Sequence, residues 1–243
     1  MAGNGEVKTS GLSERIQQLL PRVSYKLAVT REDRDQIFRL RHDAYLLEGA
    51  ITPQAGGLFS DEADVAKNTL VFGVHIDGAL MSSIRLSVGS VSIPCIPSGQ
   101  VFPEILEPEI ESGKTIIDPT RFVVERASSR LFPELPYITL RLAWIAMEHF
   151  EADILLAAVR PEHASFYQRF WGTRQITPPR LYSPLTKPVC LTISDYAAVR
   201  DAILARYPFL HSTRPERDDV FGTVTLDGSM TPARTLPTRA YLG

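Results

Sequence analysis

Two cysteines, no long apolar run and almost no net charge exclude several common classes of protein at once. Cys95 and Cys190 are far apart and belong to no CxxC or Cys/His cluster. They read as two reduced thiols rather than a disulfide framework or a zinc site. Cys190 lies in an apolar run, Pro188 to Ile193, that reads as a buried strand. The five histidines (His42, His75, His149, His163 and His211) show no metal-ligand spacing, so no metal is expected. There is no phosphate-binding GxxxxGKS/T, no dinucleotide glycine fingerprint, no GxSxG and no HExxH. No window approaches 18 consecutive apolar residues, which predicts no spanning helix. The N-terminus lacks the apolar core of a secretory signal, so a cytoplasmic location is expected. With 26 Lys+Arg against 28 Asp+Glu, the formal charge is -2. That balance speaks against a globally basic nucleic-acid face.

What is present is an ordinary globular composition, 44% hydrophobic over 243 residues. It is enough for one domain with extensions. Residues 1–22 read as an N-terminal extension, polar to residue 12 and then a short amphipathic helix from Leu12 to Leu20. Ser24 to Thr30 reads as a strand. Thr30 is a good N-cap for a helix over Arg31 to Leu47, with Ile37, Leu40, Ala44 and Leu47 on one face and Gly49 closing it. An irregular acidic loop follows to Ala66. Two strands, Asn68 to Ile76 and Ala79 to Val88, flank Asp77-Gly78, the strongest hairpin signal in the chain.

A short helix is predicted from Phe102, then a strand over Thr115 to Glu125. Pro119 within that strand implies a strand end, a bulge or a splay. Helices are predicted at Leu135 to Phe150 and, opened by Pro161 and ended by Gly172, at Glu162 to Trp171. Strands are predicted at Asp153 to Val159 and Val189 to Ile193, with a last helix capped by Ser194-Asp195. The main domain then covers 23–207, and 208–243 is a tail packed on it or loosely ordered. The order of elements predicts an α/β (α+β) fold, a mixed central sheet flanked by helices.

The charges at the edges of apolar elements carry the functional signal. Arg41 lies on the first long helix, Asp61 and Asp64 in the acidic loop, Arg85 within an apolar strand, and Asp118 and Arg121 on the proline-interrupted strand. An arginine buried without a partner costs several kcal/mol. Arg85 and Arg121 therefore require carboxylates, and Asp61, Asp64 and Asp118 are available. For any one of these residues, a surface ion pair or a helix cap is the plainer explanation.

The succession LRHDAY, DEAD, SSIRLS, FP and DPTRF resembles the acyl-homoserine-lactone synthases and the N-acyl amino acid synthases over residues 24–170. In those families a helix arginine is followed by a D-x-x-D loop, an R-L strand motif, an F-P segment and an acidic-x-x-R strand. The matching residues are Arg41, Asp61 with Asp64, Arg85 with Leu86, Phe102-Pro103, and Asp118 with Arg121. Phe59 and Asp118 stand where the lactone synthases usually carry glutamate, and SVGSVSIP replaces their proline- and threonine-rich stretch. These departures favour the N-acyl amino acid synthase branch. A GNAT-type group associated with exosortase systems is a further relative of similar length.

The resemblance implies a GNAT fold and N-acyl transfer. The donor would be an acyl group on the phosphopantetheine of an acyl carrier protein, or acyl-CoA, used as co-substrate without a resident cofactor. The acceptor would be the amine of an amino acid. Glu125-Arg126-Ala127-Ser128-Ser129-Arg130 replaces the usual glycine-rich CoA loop, which favours the carrier. Asp118 is then the candidate general base or amine orienter. Arg85, Arg121 and Asp64 complete the catalytic set, and Arg85 is a candidate for binding an acceptor carboxylate. Arg41, Asp61 and Thr120 are candidates for substrate binding. Phe122, Leu140, Trp144 and Met147 are candidates for lining an acyl pocket, although packing in the core is the stronger explanation for all four. Arg126, Arg130, Arg160, Arg169 and Arg174 are candidates for docking an acidic carrier. Alternatives are an acyl-homoserine-lactone synthase, a CoA-dependent N-acetyltransferase and a non-catalytic ligand-binding module.

Overall fold

The structure, a computed structural model, describes residues 6–224 and 230–231. Helix α1 (Glu6–Leu19) begins earlier than its sequence suggests. Gly11 weakens helix propensity locally, yet burial of Ile16 and Leu19 against the domain holds the segment. Strand β1 (Val23–Leu27) leads to α2 (Arg31–Leu47). The start of α2 is fixed by a reciprocal cap. Thr30 Oγ1 accepts from the Asp33 amide at 3.1 Å, and the Thr30 amide donates to Asp33 at 3.1 Å. Such a box satisfies two otherwise orphaned N–H groups.

Strands β2 (Thr69–Ile76) and β3 (Ala79–Gly89) form an antiparallel hairpin. Asp77 and Gly78 both take positive φ, 51° and 84°, as the twist-matched two-residue turn requires. Helix α3 (Pro103–Glu111) follows a Pro-rich connection, and β4 (Ile116–Val124) returns antiparallel to β3. A short helix α4 (Arg126–Leu131) and the long α5 (Leu135–His149) come next. Then follow β5 (Ile154–Val159), α6 (Pro161–Trp171), the two-residue β6 (Arg174–Gln175) and β7 (Cys190–Asp195). The order across the sheet is β1-β2-β3-β4-β5-β7-β6. Only β4 and β5 run parallel.

Helix α5 is buried on nearly all sides. Leu140, Trp144 and Met147 are sealed in the main core against β2, β3, α1 and the C-terminal elements. Helix α7 (Tyr196–Arg206) is capped by Asp195, and α8 (Arg214–Phe221) by Thr213. The segment from Pro208 to Phe221 packs tightly, with Phe209, Leu210 and Phe221 in the core. Arg141 of α5 grips it by donating to the carbonyls of Phe209 and His211 and to Glu216. That anchor is legible only in three dimensions. The rest of the sequence-defined tail, apart from a short β8–β9 pairing of Thr223–Val224 with Met230–Thr231, lies outside the described residues. Among the described residues no helix is long and apolar enough to cross a membrane.

The break in the sheet decides where function sits. β4 and β5 pair only at Ile116–Ile154 and Ile117–Leu155. Beyond that point the strands part, while β5 continues on β7 and β4 on β3. Pro119 has no N–H to give, and the β3–β4 register slips at Arg121, which sits at φ 53°. A non-glycine residue there is uncommon and strained. The slip is a bulge that re-aims the strand.

Candidate active site

The split between β4 and β5 opens into a cavity of about 630 Å³. That lies within the range of pockets that enclose small-molecule ligands. Its lining comes from both faces of the sheet. Phe122, Val124, Val159 and Phe166 also pack on the core around α5, whereas Tyr182, Val189 and Ala158 pack on the second core around α3. The cavity therefore passes through the sheet. Along β4 beyond Ile117, the edge facing β5 has peptide groups without a strand partner, and they border this passage.

Beside the cavity runs a buried ladder of charge. Arg41 Nη1 donates to Asp64 Oδ1 at 2.7 Å. Arg85 Nη1 reaches Asp61 Oδ1 and, at 3.3 Å, Asp64 Oδ1. Arg121 Nε and Nη2 both donate to Asp61 Oδ2, at 3.0 and 2.6 Å. Arg85 Nε donates to Thr120 Oγ1 at 2.8 Å. The D-x-x-D spacing has a local cause. Asp61 caps a 3-10 turn over Glu62–Val65, and Asp64 Oδ2 accepts back from the Asp61 amide at 2.9 Å. The turn holds both carboxylates toward the three arginines.

Electrostatics follows from this geometry. Burial alone would push the Asp61 carboxyl up, but Arg85 and Arg121 outweigh it and hold it down at about 2. Asp61 thus stays ionised in the working range, and a carboxyl held so low is a poor base for an amine proton. Its folded-state value lies below the unfolded value, so the stabilisation is complete above pH ~4 and is lost as pH falls toward 2. The loss is at most about 2 kcal/mol before solvent screening. An acid titration of urea midpoints should show it for the wild type and not for Asp61→Asn.

Several sequence-based assignments need correction. Asp118 does not face the cavity. It is fully buried on β4, where Oδ2 accepts from the Ser98 amide at 2.8 Å and Oδ1 from Ser98 Oγ at 2.7 Å. Burial pushes its carboxyl up, against the pull of the Ser98 bonds and of Arg85 and Arg121. Asp118 tethers the connection before α3 rather than meeting a substrate amine. Asp118→Asn should cost about 1–3 kcal/mol of stability and leave the pH dependence of turnover unmoved; a shifted profile would restore the base assignment.

Arg85, completely enclosed and bound to the ladder, is unavailable to an acceptor carboxylate. Arg41 and Asp64 are likewise sealed. Leu140, Trp144 and Met147 belong to the core, because α5 is covered on the face that periodicity leaves open. Phe122, Thr120 and Arg121 do line the cavity, with the Thr120 hydroxyl committed to Arg85.

The docking arginines are dispersed. Arg126 and Arg160 border the cavity, and Arg130 lies one turn beyond Arg126 on α4. Arg169 is exposed on α6, and Arg174 on the edge strand β6. Arg160 is already paired with Glu48 and Glu162.

The structure adds lining residues that sequence reasoning missed: Tyr45, Glu48, His163, Tyr167, Tyr182 and Lys187. Tyr45 had a usable signal, since it stands four residues after Arg41 on the same helix face. Tyr182 had none, for it lies in an irregular stretch that only the fold lays across the cavity. With both Asp61 oxygens engaged by arginines and Asp118 enclosed, Glu48 and His163 are the lining groups with a side chain suited to taking a proton from an amine.

A family model described as N-acyl amino acid synthase FeeM matches residues 36–195. No curated protein matches the chain. Among solved structures, FeeM, an N-acyl amino acid synthase from uncultured soil microbes, superposes with TM-score 0.63 at 18% identity, over 77% of this chain and 98% of that one. The acyl-homoserine-lactone synthase LasI gives TM-score 0.54 at 15% identity, over 70% and 89%. The CoA-dependent acyl-homoserine-lactone synthase BjaI, with MTA, gives 0.52 at 17% identity, over 77% and 89%. At such identities these likenesses establish the GNAT-like fold.

Proposed function

Because the chain belongs to the N-acyl amino acid synthase FeeM family, and is thereby an N-acyltransferase, we propose that it moves a long acyl group from an acyl carrier protein thioester to the amine of an amino acid. The observation that carries this reading is the through-sheet cavity at the β4–β5 split. Arg126, Ser129, His163 and Phe166, the lining residues of the α4 and α6 segments, suit a pantetheine arm. Tyr45, Tyr182 and Leu185 suit an acceptor. The cavity, about 630 Å³ and largely apolar, has room for a chain far longer than acetyl.

The chemistry needs little beyond placement. The acceptor amine attacks the thioester carbonyl, the C–N bond forms, the C–S bond breaks, and the thiol leaves with a proton. Unpaired peptide N–H groups on the β5-facing edge of β4 are suited to steadying the oxyanion. Holding both reactants in one passage supplies a large share of the rate. Glu48 or His163, directly or through water, takes the amine proton.

The carrier is favoured over CoA by the cap of α4. Glu125 leaves no free N–H there: its carboxylate already accepts from the amides of Ala127 and Ser128, at 3.1 and 2.6 Å. Those are the N–H groups that would otherwise meet a phosphate. An ordinary nucleotide cradle is thus closed by the chain's own carboxylate.

The test is a matched series of donors. Acyl chains from acetyl to long-chain are presented on carrier protein, on CoA and on bare pantetheine, with a mixture of amino acids, and products are read by mass spectrometry. Long-chain N-acyl amino acids, with the carrier thioester at least about 10-fold better in kcat/KM than the CoA thioester, are expected. Acetyl transfer from CoA alone, or an acyl-homoserine lactone as product, would overturn the proposal.

A further inference from the structure

Two lining groups are suited to taking the amine proton, and their hydrogen bonds separate them. Glu48 stands at the C-terminal end of α2, His163 in the first turn of α6, and Arg160 between β5 and α6. All three line the cavity. Arg160 Nη2 lies 2.7 Å from His163 Nε2 and 3.1 Å from Glu48 Oε2, while Arg160 Nε lies 3.5 Å from Glu162. One guanidinium thus joins the end of one helix to the start of another. A guanidinium has only donors and stays charged at any working pH. His163 Nε2 is therefore the acceptor, and the ring proton sits on Nδ1. The lone pair that a histidine base would use is committed to Arg160, and the other nitrogen already carries a proton. To take a second proton, His163 would have to give up the bond to Arg160 and become a cation beside it. It is placed to donate a hydrogen bond, not to accept a proton.

Glu48 is placed differently. Arg160 engages Oε2 alone, and among the described residues Oε1 has no hydrogen-bond partner. The side chain is about half exposed, so one ion pair orients it without sequestering it. Its backbone is pinned from the segment before β7. The Glu48 carbonyl accepts from Lys187 Nζ at 2.7 Å, the Gly49 carbonyl from Thr186 Oγ1 at 3.0 Å, and the Ala50 carbonyl from the Thr186 amide at 2.9 Å. A carboxylate on a fixed backbone, turned by one guanidinium and open at its second oxygen, meets the geometric demand on a proton acceptor.

We propose that Glu48 is the catalytic base, and that Arg160 is a positioning residue that turns the Glu48 carboxylate and locks His163 as an Nδ1–H donor. The inference rests on the acyl-transfer reading above and gives it a proton path. The acceptor arrives as an ammonium group. Glu48 Oε1, directly or through one water, takes a first proton and passes it to solvent. The neutral amine attacks the thioester carbon and the C–N bond forms. A second proton leaves the nitrogen for Glu48, the carbonyl re-forms and the C–S bond breaks. Glu48 then returns that proton to the departing sulfur. The products are one amide, one thiol and one proton in solvent. His163 moves no proton, and its Nδ1–H is left to hydrogen-bond an oxygen of the acyl donor.

Two measurements test this, and the first does not depend on turnover. In protein carrying isotope-labelled histidine, long-range proton–nitrogen correlation spectra distinguish an Nδ1–H ring from an Nε2–H ring. The His163 signals, assigned by their loss in His163→Asn, should show the Nδ1–H form in the wild type and the Nε2–H form in Arg160→Met. An Nε2–H ring in the wild type overturns the inference. The second measurement compares steady-state rates with a long-chain acyl thioester and a mixture of amino acids. Glu48→Gln keeps the shape of a half-exposed side chain and should lower kcat by about 100-fold or more, with KM little changed, as loss of a general base does. Arg160→Met should lower kcat by about 10-fold, again with KM little changed. His163→Asn retains an N–H donor near the Nδ1 position and should lose only about 5-fold, the worth of one imperfect hydrogen bond. A loss in His163→Asn as large as that in Glu48→Gln, with N-acylation proceeding in the wild type, makes His163 the base. That result overturns this inference and leaves the acyl-transfer reading standing, as does a Glu48→Gln rate close to wild type. Absence of N-acylation by the wild type with every donor and acceptor overturns both.

Discussion

Asp64→Ala is expected to lower stability by about 3–5 kcal/mol, the usual cost of leaving buried charge uncompensated. Asp64 is nearly inaccessible, and it is the direct partner of Arg41 and a second partner of Arg85, both of which are wholly enclosed. Its other oxygen closes the 3-10 turn by accepting from the Asp61 amide. Removing it strands the Arg41 guanidinium, leaves Arg85 with Asp61 alone and loosens the turn that holds Asp61. Water cannot easily reach the stranded charges, since Arg41 Nε and Nη2 and Arg85 Nη2 are already buried without a partner. The effect should appear as a large drop in the urea midpoint. Asp64→Asn retains shape but not charge and should fall between the alanine variant and wild type. A loss under about 1 kcal/mol for the alanine variant would mean that the ladder carries no such weight.

The second large effect concerns chemistry rather than stability. Ala158→Trp places an indole in the passage between β4 and β5, where Ala158 is half-buried and lines the cavity. Its neighbours across the gap are strand residues, Pro119 to Val124, which cannot move aside without disturbing the β3–β4 pairing. Long-chain acyl transfer should fall by about 100-fold or more, since even small misplacements at a reacting centre cost that much. The thermal midpoint should change little, because the added ring fills open space rather than a packed core. If acetyl or other short donors retain more activity than long ones, the apolar passage holds the acyl chain. Equal loss for every chain length would place the chain elsewhere.

Much of the fold was open to reading because its signals are local. Thr30 with Asp33 marks the start of α2, Asp77-Gly78 the hairpin, and Pro161 with Gly172 both ends of α6. Each is a short-range hydrogen-bond or dihedral requirement carried by adjacent residues. The need of Arg85 and Arg121 for carboxylates was equally readable, because an arginine in an apolar strand has few affordable alternatives. The partner they share, Asp61, stands 24 residues from Arg85 and 60 from Arg121.

What each charged residue faces was not readable. Alternation along β4 would put Asp118 and Thr120 on one face and Arg121 on the other, but the left-handed turn of Arg121 shifts the pattern. Asp118, Thr120 and Arg121 are thereby all brought to the ladder side, with Asp118 behind Ser98 and Arg121 at the cavity wall. The apolar face of α5 was visible as a pattern, yet α1, α8 and the Pro208–Leu210 turn cover it. Leu140, Trp144 and Met147 therefore became core. Tyr45 and Tyr182, separated by more than a hundred residues, meet around Arg121 only after the sheet is assembled.

The sequence by itself determined the elements, their caps and turns, and the obligation of buried arginines to find carboxylates, since these follow from backbone and charge energetics within or between single segments. Only the tertiary structure decided which end of the ladder meets the cavity. That choice depends on where β4 parts from β5 and how one bulge turns the strand, and both are settled by packing between strands that no stretch of sequence contains.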